Sequence, residues 1–573
     1  MSTADLPIGT RLRGRDELRF VRPYRRLGRL NEVERAKLAR HPYEAIAAVV
    51  ERYAAEGPEA IAGVPGEVER LKWAGIYPQR QGGNAFMVRV KVPGGRLRAE
   101  QAVELGLLAE AFAQGPEDHP VFGNAYADLT TRQDVQLHWV RIEDVPRLWR
   151  RLDAVGLTTV QACGDSARNV LCCPLAGADP EEVVDALPVA VAISDFFTGN
   201  RAYANLPRKF KMSVTGCRED CVRAEINDIA LWPARSVAGE LGFNLLVGGG
   251  LSDGERMAQD VDVFVAPGDA VEVCRAIAQL YGELGNREHR GLARMRYLVE
   301  ELGPEGFRAE LAARTSLRLA PAGEALTRRF RGDHVGIHPD RRPGRLLVGL
   351  CVPVGRLRGR ELAEAGRLAA AYGDGTVRLG ADQNLVLAGV PEERLEDLLA
   401  EPLLARCTPF PGPFSRGVVA CTGTEFCRFA VVETKARALD LAQWLDEQCG
   451  PAVAELAEEV GPIRVHLSGC SASCAQPQIA DVGLRGTAAH LGDQLVEGVD
   501  VGLGGTLGPR AGFVDWVDGG LPAQDLPEAL ARLVRLFLAE RRPGEALWAW
   551  ARRQPPARLR ETLRAPDREE VRP

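Results

Sequence analysis

Val92-Pro93-Gly94-Gly95-Arg96-Leu97-Arg98 returns later in the chain as Val352-Pro353-Val354-Gly355-Arg356-Leu357-Arg358. Each copy follows an apolar, strand-like run and leads into an Ala/Leu/Glu-rich helical stretch. The echo continues in the same order. The strand-like stretch Thr131-Arg132-Gln133-Asp134-Val135-Gln136-Leu137 is matched by Ala381-Asp382-Gln383-Asn384-Leu385-Val386-Leu387, and Arg168-Asn169-Val170-Leu171 by Arg416-Gly417-Val418-Val419. Thr215-Gly216-Cys217 to Cys221, followed by Ala224-Glu225-Ile226-Asn227-Asp228-Ile229-Ala230, is matched by Ser468-Gly469-Cys470 to Cys474, followed by Gln476-Pro477-Gln478-Ile479-Ala480-Asp481-Val482-Gly483. Ordered matches at separations of about 250 residues mean repeated units that pack together. The period is a whole domain pair, so the chain is a duplicated two-part unit and not a solenoid.

The fold expected is α+β, with two small βαβ-type half-modules, two larger α/β modules, and the active site between pseudo-two-fold halves. The boundaries read as a helical lead-in over 1–68, a half-module over 69–155 and an α/β module over 156–325. The second copy follows as 326–405 and 406–545, with a tail over 546–573. Asn31-Glu32-Val33-Glu34 has the form of a capped helix start, and Tyr43 to Ala54 continues the helical pattern. Beyond about Arg541 the chain is rich in Arg and Pro, which reads as a fraying end.

With 573 residues there is length for several domains, and the composition is globular. A net charge of -6 argues against nucleic acid as the main partner. Met1 to Phe20 lack the apolar core of a secretory signal, and no apolar run reaches bilayer-spanning length. The expectation is a cytoplasmic monomer without membrane contact. Thirteen cysteines then read as metal ligands, redox groups or small buried apolar side chains, not as a disulfide framework.

Duplicated halves share a scaffold, so their differences locate function. The second copy carries Cys421-Thr-Gly-Thr-Glu-Phe-Cys427 and Cys470-Ser-Ala-Ser-Cys474. Two close pairs of thiolates suit a cubane iron–sulfur cluster better than zinc, which more often takes Cys-x-x-Cys pairs. In the first copy Cys173 stands opposite Cys421, Asp179 opposite Cys427, and Cys217 and Cys221 opposite Cys470 and Cys474. Three ligand positions of four survive there, so a second cluster would need Asp179 or an outside ligand. The simpler reading is relics packed as small apolar groups. Cations show the reverse asymmetry. Arg89 faces Gly349, while Lys209 and Lys211, which alternation would place on one strand face, stand opposite Pro462 and Arg464. A cationic half set against a thiol-rich half places an anion site between them.

These residues resemble the sirohaem-containing nitrite and sulfite reductases, from about Trp73 to about Leu538. The most specific pieces are Ala420-Cys421-Thr422-Gly423 with Phe426-Cys427, and Gly469-Cys470 with Cys474 to Asp481. Thr131-Arg132-Gln133, Gln136, His138 and Leu206 to Lys211 add to it. The resemblance implies ferredoxin-like half-modules and a [4Fe–4S] cluster on Cys421, Cys427, Cys470 and Cys474, with Cys474 also ligating the sirohaem iron. It implies that Arg89, Arg168, Lys209 and Lys211 surround the substrate anion. Arg132, Gln136, His138 and Arg208 match positions contacting the sirohaem or its carboxylates. Arg suits those carboxylates as a bidentate donor, and Lys can pass on a proton where Arg cannot readily do so. Tyr77 and Cys163 match a thioether-linked pair of some sulfite-reducing relatives.

The activity implied is six-electron reduction of nitrite to ammonium. A Lys-x-Lys pair is common among sulfite reducers, which keeps sulfite as the alternative. Met212 to Arg218, His334 to Pro339, Glu497 to Val501 and Glu225 to Ile229 look more like the nitrite type. No full nucleotide motif is present. Gly248-Gly249-Gly250 and Gly504-Gly505 read as tight turns, and a ferredoxin is the donor that the resemblance implies, ahead of a flavoprotein subunit. A corrin-biosynthesis oxygenase on the same scaffold, or a non-catalytic metal-stabilised binding protein, are the readings from other classes.

Overall fold

The computed structural model describes residues 29–564 apart from 63, 65, 253 and 331. The reading of Met1 to Phe20 therefore falls outside the described residues. Asn31 caps the first helix, Glu32–Ala39, its Oδ1 accepting the Glu34 N–H at 3.1 Å. Ile46–Glu56 continues the lead-in, burying Ile46, Val49, Val50 and Tyr53 at helical spacing.

The duplication takes an intertwined form. One sheet runs Ile76–Pro78, Ala85–Val90, Val135–Arg141, Tyr126–Leu129 and then Arg356–Arg358 from far down the chain. Its counterpart runs Gly336–Pro339, Arg345–Leu350, Leu385–Pro391, Thr376–Leu379 and then Arg96–Arg98. Each half thus gives the strand after its Val-Pro-x-Gly turn to the other half's sheet, with Leu357 opposite Ala127 and Leu97 opposite Val377. The helices that follow, Ala99–Phe112 and Gly359–Tyr372, pack against each other in van der Waals contact of their backbones. A Cβ on Gly106 would lie 2.3 Å from Gly359 O, and one on Gly366 2.6 Å from Ala99 O. The half-modules consequently share one apolar core, from Leu105 and Val135 through Leu362 and Leu387.

Two glutamines lock this exchange. The repeats that read as strands from Thr131 and Ala381 begin as tight turns instead, with pairing only from Val135 and Leu385. Gln133 and Gln383 sit at φ 57° and 69°, and the turn points each carboxamide across the interface. Gln133 Nε2 donates to Cys172 O (2.7 Å) and Leu379 O (2.6 Å), and Gln383 Nε2 donates to Leu129 O (2.9 Å). Each side-chain oxygen accepts a backbone N–H, from Cys172 and Ala420 respectively.

The larger sheets also correspond. Ala167–Cys172, Phe210–Val214 and Ile229–Arg235 are mutually parallel, and Leu241–Val247 and Gln259–Val265 extend them antiparallel. Val418–Ala420, Val465–Ser468 and Val482–Leu491 are parallel in the same way, extended by Gln494–Leu503 and Asp515–Pro522. The end of the described chain does not fray. Leu547–Arg552 and Pro556–Arg564 are helices that bury Leu547, Trp550, Leu559 and Leu563 in the second core. Apolar residues at helical spacing outweigh the Arg and Pro between them, each large side chain contributing roughly 1.5–3 kcal/mol. Among the described residues no helix is long and apolar enough to cross a membrane.

Candidate active site

Matching strand ends carry the thiols. Cys421 follows Val418–Ala420, and Cys470 follows Val465–Ser468. A turn of 3-10 helix, Gly423–Glu425, returns the chain to Cys427, and Cys474 stands exposed just before Pro477–Ile479. Gly469 N–H donates to Cys421 Sγ at 3.1 Å, a bond that favours the thiolate. Burial pushes the Cys421 thiol up, and the nearby charge of Cys474 pushes it further; Cys474 acts the same way on Cys427.

The charge of Cys474 also reaches the opposite half, where it acts on Arg89 and on Lys209. Arg89 lies on Ala85–Val90, paired in register with Gln136. With its oxygen toward Arg89, as the hydrogen-bond network requires, Gln136 accepts from Nη2 at 2.6 Å and Nε at 3.1 Å. In the second half the same register pairs Gly349 with Val386, so the polar pair is present only once. Arg89 Nη1 also lies 3.4 Å from both Tyr77 Oη and Ala162 O. Arg168 is held by loop carbonyls, with Nη2 2.9 Å and Nε 3.1 Å from Gly164 O.

Lys211 lies on the strand Phe210–Val214 and Lys209 immediately before it, both half-buried. Burial, then the charges of Arg294 and Arg168, push Lys209 down to about 7. Burial and Lys209 lower Lys211 well below the usual lysine range. The Lys211 backbone N–H donates to Asp228 (2.9 Å) just as Arg464 N–H donates to Asp481 (2.9 Å), which establishes the repeat alignment residue by residue. Arg132 donates from Nη1 to Asn227 Oδ1 at 3.1 Å and from Nη2 to Asn169 O, and burial brings it down to about 10. Arg208 leans on Asp165, which also binds Arg290 and Lys37.

His138 stands apart from this group. It is buried, with Nε2 3.1 Å from Asp128 Oδ2 and its ring stacked on Phe426 at 4.0 Å. Burial lowers its pKa, and its Nδ1 has no hydrogen-bond partner among the described residues. Asp128 also binds Arg356 from the exchanged strand (2.7 and 2.9 Å), and Arg356 Nη1 continues to Glu425 at 2.7 Å.

Sequence reasoning missed Arg294 and Arg223. Arg294 is buried and forks onto Asp228 at 2.9–3.3 Å. Its signal lay in the glycine run, which is irregular chain leading to a bridge between Gly250 and Arg256 instead of a tight turn: a Cβ on Gly250 would lie 2.8 Å from Arg296 Nη1 and 3.1 Å from Arg294 Nη2. Arg223 has no basic counterpart in the repeat to draw attention to it.

Burial, and after it the charges of neighbouring cations, Arg168 and Arg294 among them, lowers Arg89, Arg132, Lys209 and Lys211. Asp134, buried among them, is itself pushed up to about 6. Buried Arg132 Nε and Asn169 Oδ1 have no hydrogen-bond partner among the described residues. Such a nest suits an anionic occupant.

Fold and site together define an internally duplicated α+β protein in which a thiol-rich half faces a cation-rich half. The chain belongs to the nitrite and sulfite reductases. Residues 163–319 match the family's nitrite and sulphite reductase 4Fe-4S domain, and residues 77–155 and 338–405 match its ferredoxin-like half domain. The assimilatory ferredoxin-dependent nitrite reductase of Haloferax mediterranei is 41% identical over 537 residues, 90% of each chain. The ferredoxin–nitrite reductase of Synechococcus elongatus is 39% identical over 514 residues, 88% of this chain and 96% of that one. The solved structure of the Mycobacterium tuberculosis NirA protein superposes with a TM-score of 0.85 at 33% identity, covering 93% of this chain and 98% of that one.

Proposed function

We propose that the protein reduces nitrite to ammonium with electrons from a ferredoxin, at a site formed where Cys474 faces Arg89 and Lys209. That juxtaposition of an exposed thiol with half-buried cations carries the reading, and the relatives named above support the choice of substrate and donor. Cys421, Cys427, Cys470 and Cys474 would hold a [4Fe–4S] cluster, with Cys474 shared with a sirohaem iron. Arg132, Gln136 and Arg208 would receive the sirohaem carboxylates, which the nest of cations and the unpartnered Arg132 Nε fit. These groups, when bound, supply the electrons and the metal on which reduction occurs.

The chain's own residues supply charge and protons. Arg89 and Arg168 are held by Gln136 and by loop carbonyls, so their positive charge is in place before the anion arrives. Lys209, down to about 7, carries an ammonium proton that it can release near neutral pH. Nitrite, six electrons and eight protons give ammonium and two waters, so Lys209 Nζ and Lys211 Nζ would relay protons that solvent replaces. The Lys-x-Lys placement of Lys209 and Lys211 also suits a dianion, which is the observation favouring sulfite as second reading.

Anaerobic turnover of the cofactor-loaded protein with reduced methyl viologen separates the two. A much higher kcat/KM for nitrite, with ammonium as product, is the expected result. A higher value for sulfite transfers the protein to sulfur reduction, and a haem-free spectrum sinks the proposal.

A further inference from the structure

The first half retains thiols where the second half carries its clustered cysteines, and they have not been dispersed into separate apolar pockets. Cys173 follows the strand Ala167–Cys172, as Cys421 follows Val418–Ala420. Cys217 comes after Phe210–Val214, and Cys221 after Glu219–Asp220. A fourth group arrives from the second half. His334 precedes the strand Gly336–Pro339, and its backbone is pressed against Gly349, where a Cβ would lie 1.8 Å from His334 O.

The ligand atoms of Cys173, Cys221 and His334 all lie within 4.8 Å of one another, and all three residues are buried. Cys173 Sγ is 3.6 Å from His334 Nε2 and 3.3 Å from Cys217 Sγ, and Cys217 Sγ is 3.5 Å from Asp179 Oδ2. Three chemistries could gather thiols in this way. A disulfide needs sulfurs about 2.05 Å apart, well inside the separation of Cys173 and Cys217. A cubane holds its four thiolates apart, because the cluster occupies the space between them. A single tetrahedral ion with metal–sulfur bonds of about 2.3 Å needs ligand atoms about 3.8 Å apart, and the separations of 3.3 and 3.6 Å about Cys173 lie near that spacing. Three thiolates and an imidazole are a donor set for zinc.

We propose that Cys173, Cys217, Cys221 and His334 bind one zinc ion, at the place in the first half that corresponds to the cysteine cluster of the second. Cys217, whose Sγ lies 3.3 Å from Cys173 Sγ, supplies the fourth donor. The ion closes the ends of the two parallel strands whose other ends carry Arg168 and Lys211, and ties them to the segment entering the second half-module. Its role is structural, and it stands independently of the substrate assignment. Asp179, against Cys217, takes the place beside the site that Cys427 takes in the other half.

The test is elemental analysis of the purified holoenzyme after passage over chelating resin, with zinc-edge X-ray absorption on the same sample. About one zinc per chain is expected, bound by three sulfurs near 2.3 Å and one nitrogen near 2.0 Å. Cys173→Ser and His334→Gln should lower zinc several-fold while leaving the iron content unchanged. Zinc below about 0.1 per chain overturns the proposal. So does zinc with an all-oxygen shell, zinc retained in Cys173→Ser, or iron in place of zinc at a three-sulfur site. The absorption measurement uses the wild-type protein, so it decides the matter even where a variant fails to fold.

Discussion

Arg223 and Gln476 meet between the two halves, Arg223 Nη1 donating to Gln476 Oε1, from equivalent places in the repeat. Each stands two residues after a cysteine, Cys221 or Cys474, and each takes the left-handed conformation, at φ 58° and 62°. That backbone costs a non-glycine residue about 1–2 kcal/mol, and here it turns both side chains toward the junction of the halves. Arg223 is also buried, and burial brings it down to about 10.

Removing either partner leaves the other buried without its bond, at about 1.5–3 kcal/mol for a charged donor. Arg223→Met and Gln476→Ala should each lower Tm by a few degrees, and the double variant by clearly less than their sum. Thermal melts of the four proteins check this. Strict additivity would show that the contact carries no energy.

Arg356 is the anchor of the exchanged strand. It forks onto Asp128, reaches Glu425 and lies over the Tyr126 ring at 4.0 Å. Arg356→Ala leaves the buried Asp128 carboxylate with only His138 and the more distant Lys435, and should cost about 3–5 kcal/mol. Because Glu425 lies between Cys421 and Cys427, hydrogen exchange should rise in that loop first. Equal exchange there in both proteins would contradict the coupling.

Gln133 and Gln383 bond across the interface at equivalent places, but Gln133 donates once more than Gln383. Gln133→Ala loses two donated bonds and one accepted, and Gln383→Ala one of each. At about 1 kcal/mol per bond, Gln133→Ala should destabilise more, read as a lower denaturant midpoint. The reverse order would place the interface energy elsewhere.

Lys209 gives the pH dependence. It is charged below about 7 and loses its charge as pH rises through that value. The KM for the anion should therefore rise with pH across neutrality, and Lys209→Gln should raise it about 10-fold while flattening the profile. The folded protein binds fewer protons than the unfolded chain between about 7 and the ordinary lysine range. This group therefore makes stability rise with pH over that window. A KM profile unchanged in Lys209→Gln would remove Lys209 from anion binding.

Cys421→Ser should abolish the iron–sulfur absorption and lower the iron content, whereas Cys274→Ser, a buried thiol in a helix of the first half, should leave both as they are. Retention of full iron in Cys421→Ser would exclude it as a ligand.

The sequence by itself determined the duplication, the thiols of one half and the cations of the other, because repeats and residue types are local facts. The equivalence of Lys211 with Arg464 was legible in the same way, and the structure bears it out through Asp228 and Asp481. Only the tertiary structure decided which sheet receives Arg96–Arg98 and Arg356–Arg358. Alternation sets the faces of a strand but not its partner, and the partner here lies in the other half of the chain. The packing likewise brought His138 Nε2 to Asp128 and its ring to Phe426, because a buried imidazole takes the carboxylate within reach. Arg294 and His334 were beyond sequence reading for the same reason. Each is brought to its neighbours by a chain path whose end point depends on the packing of the whole molecule.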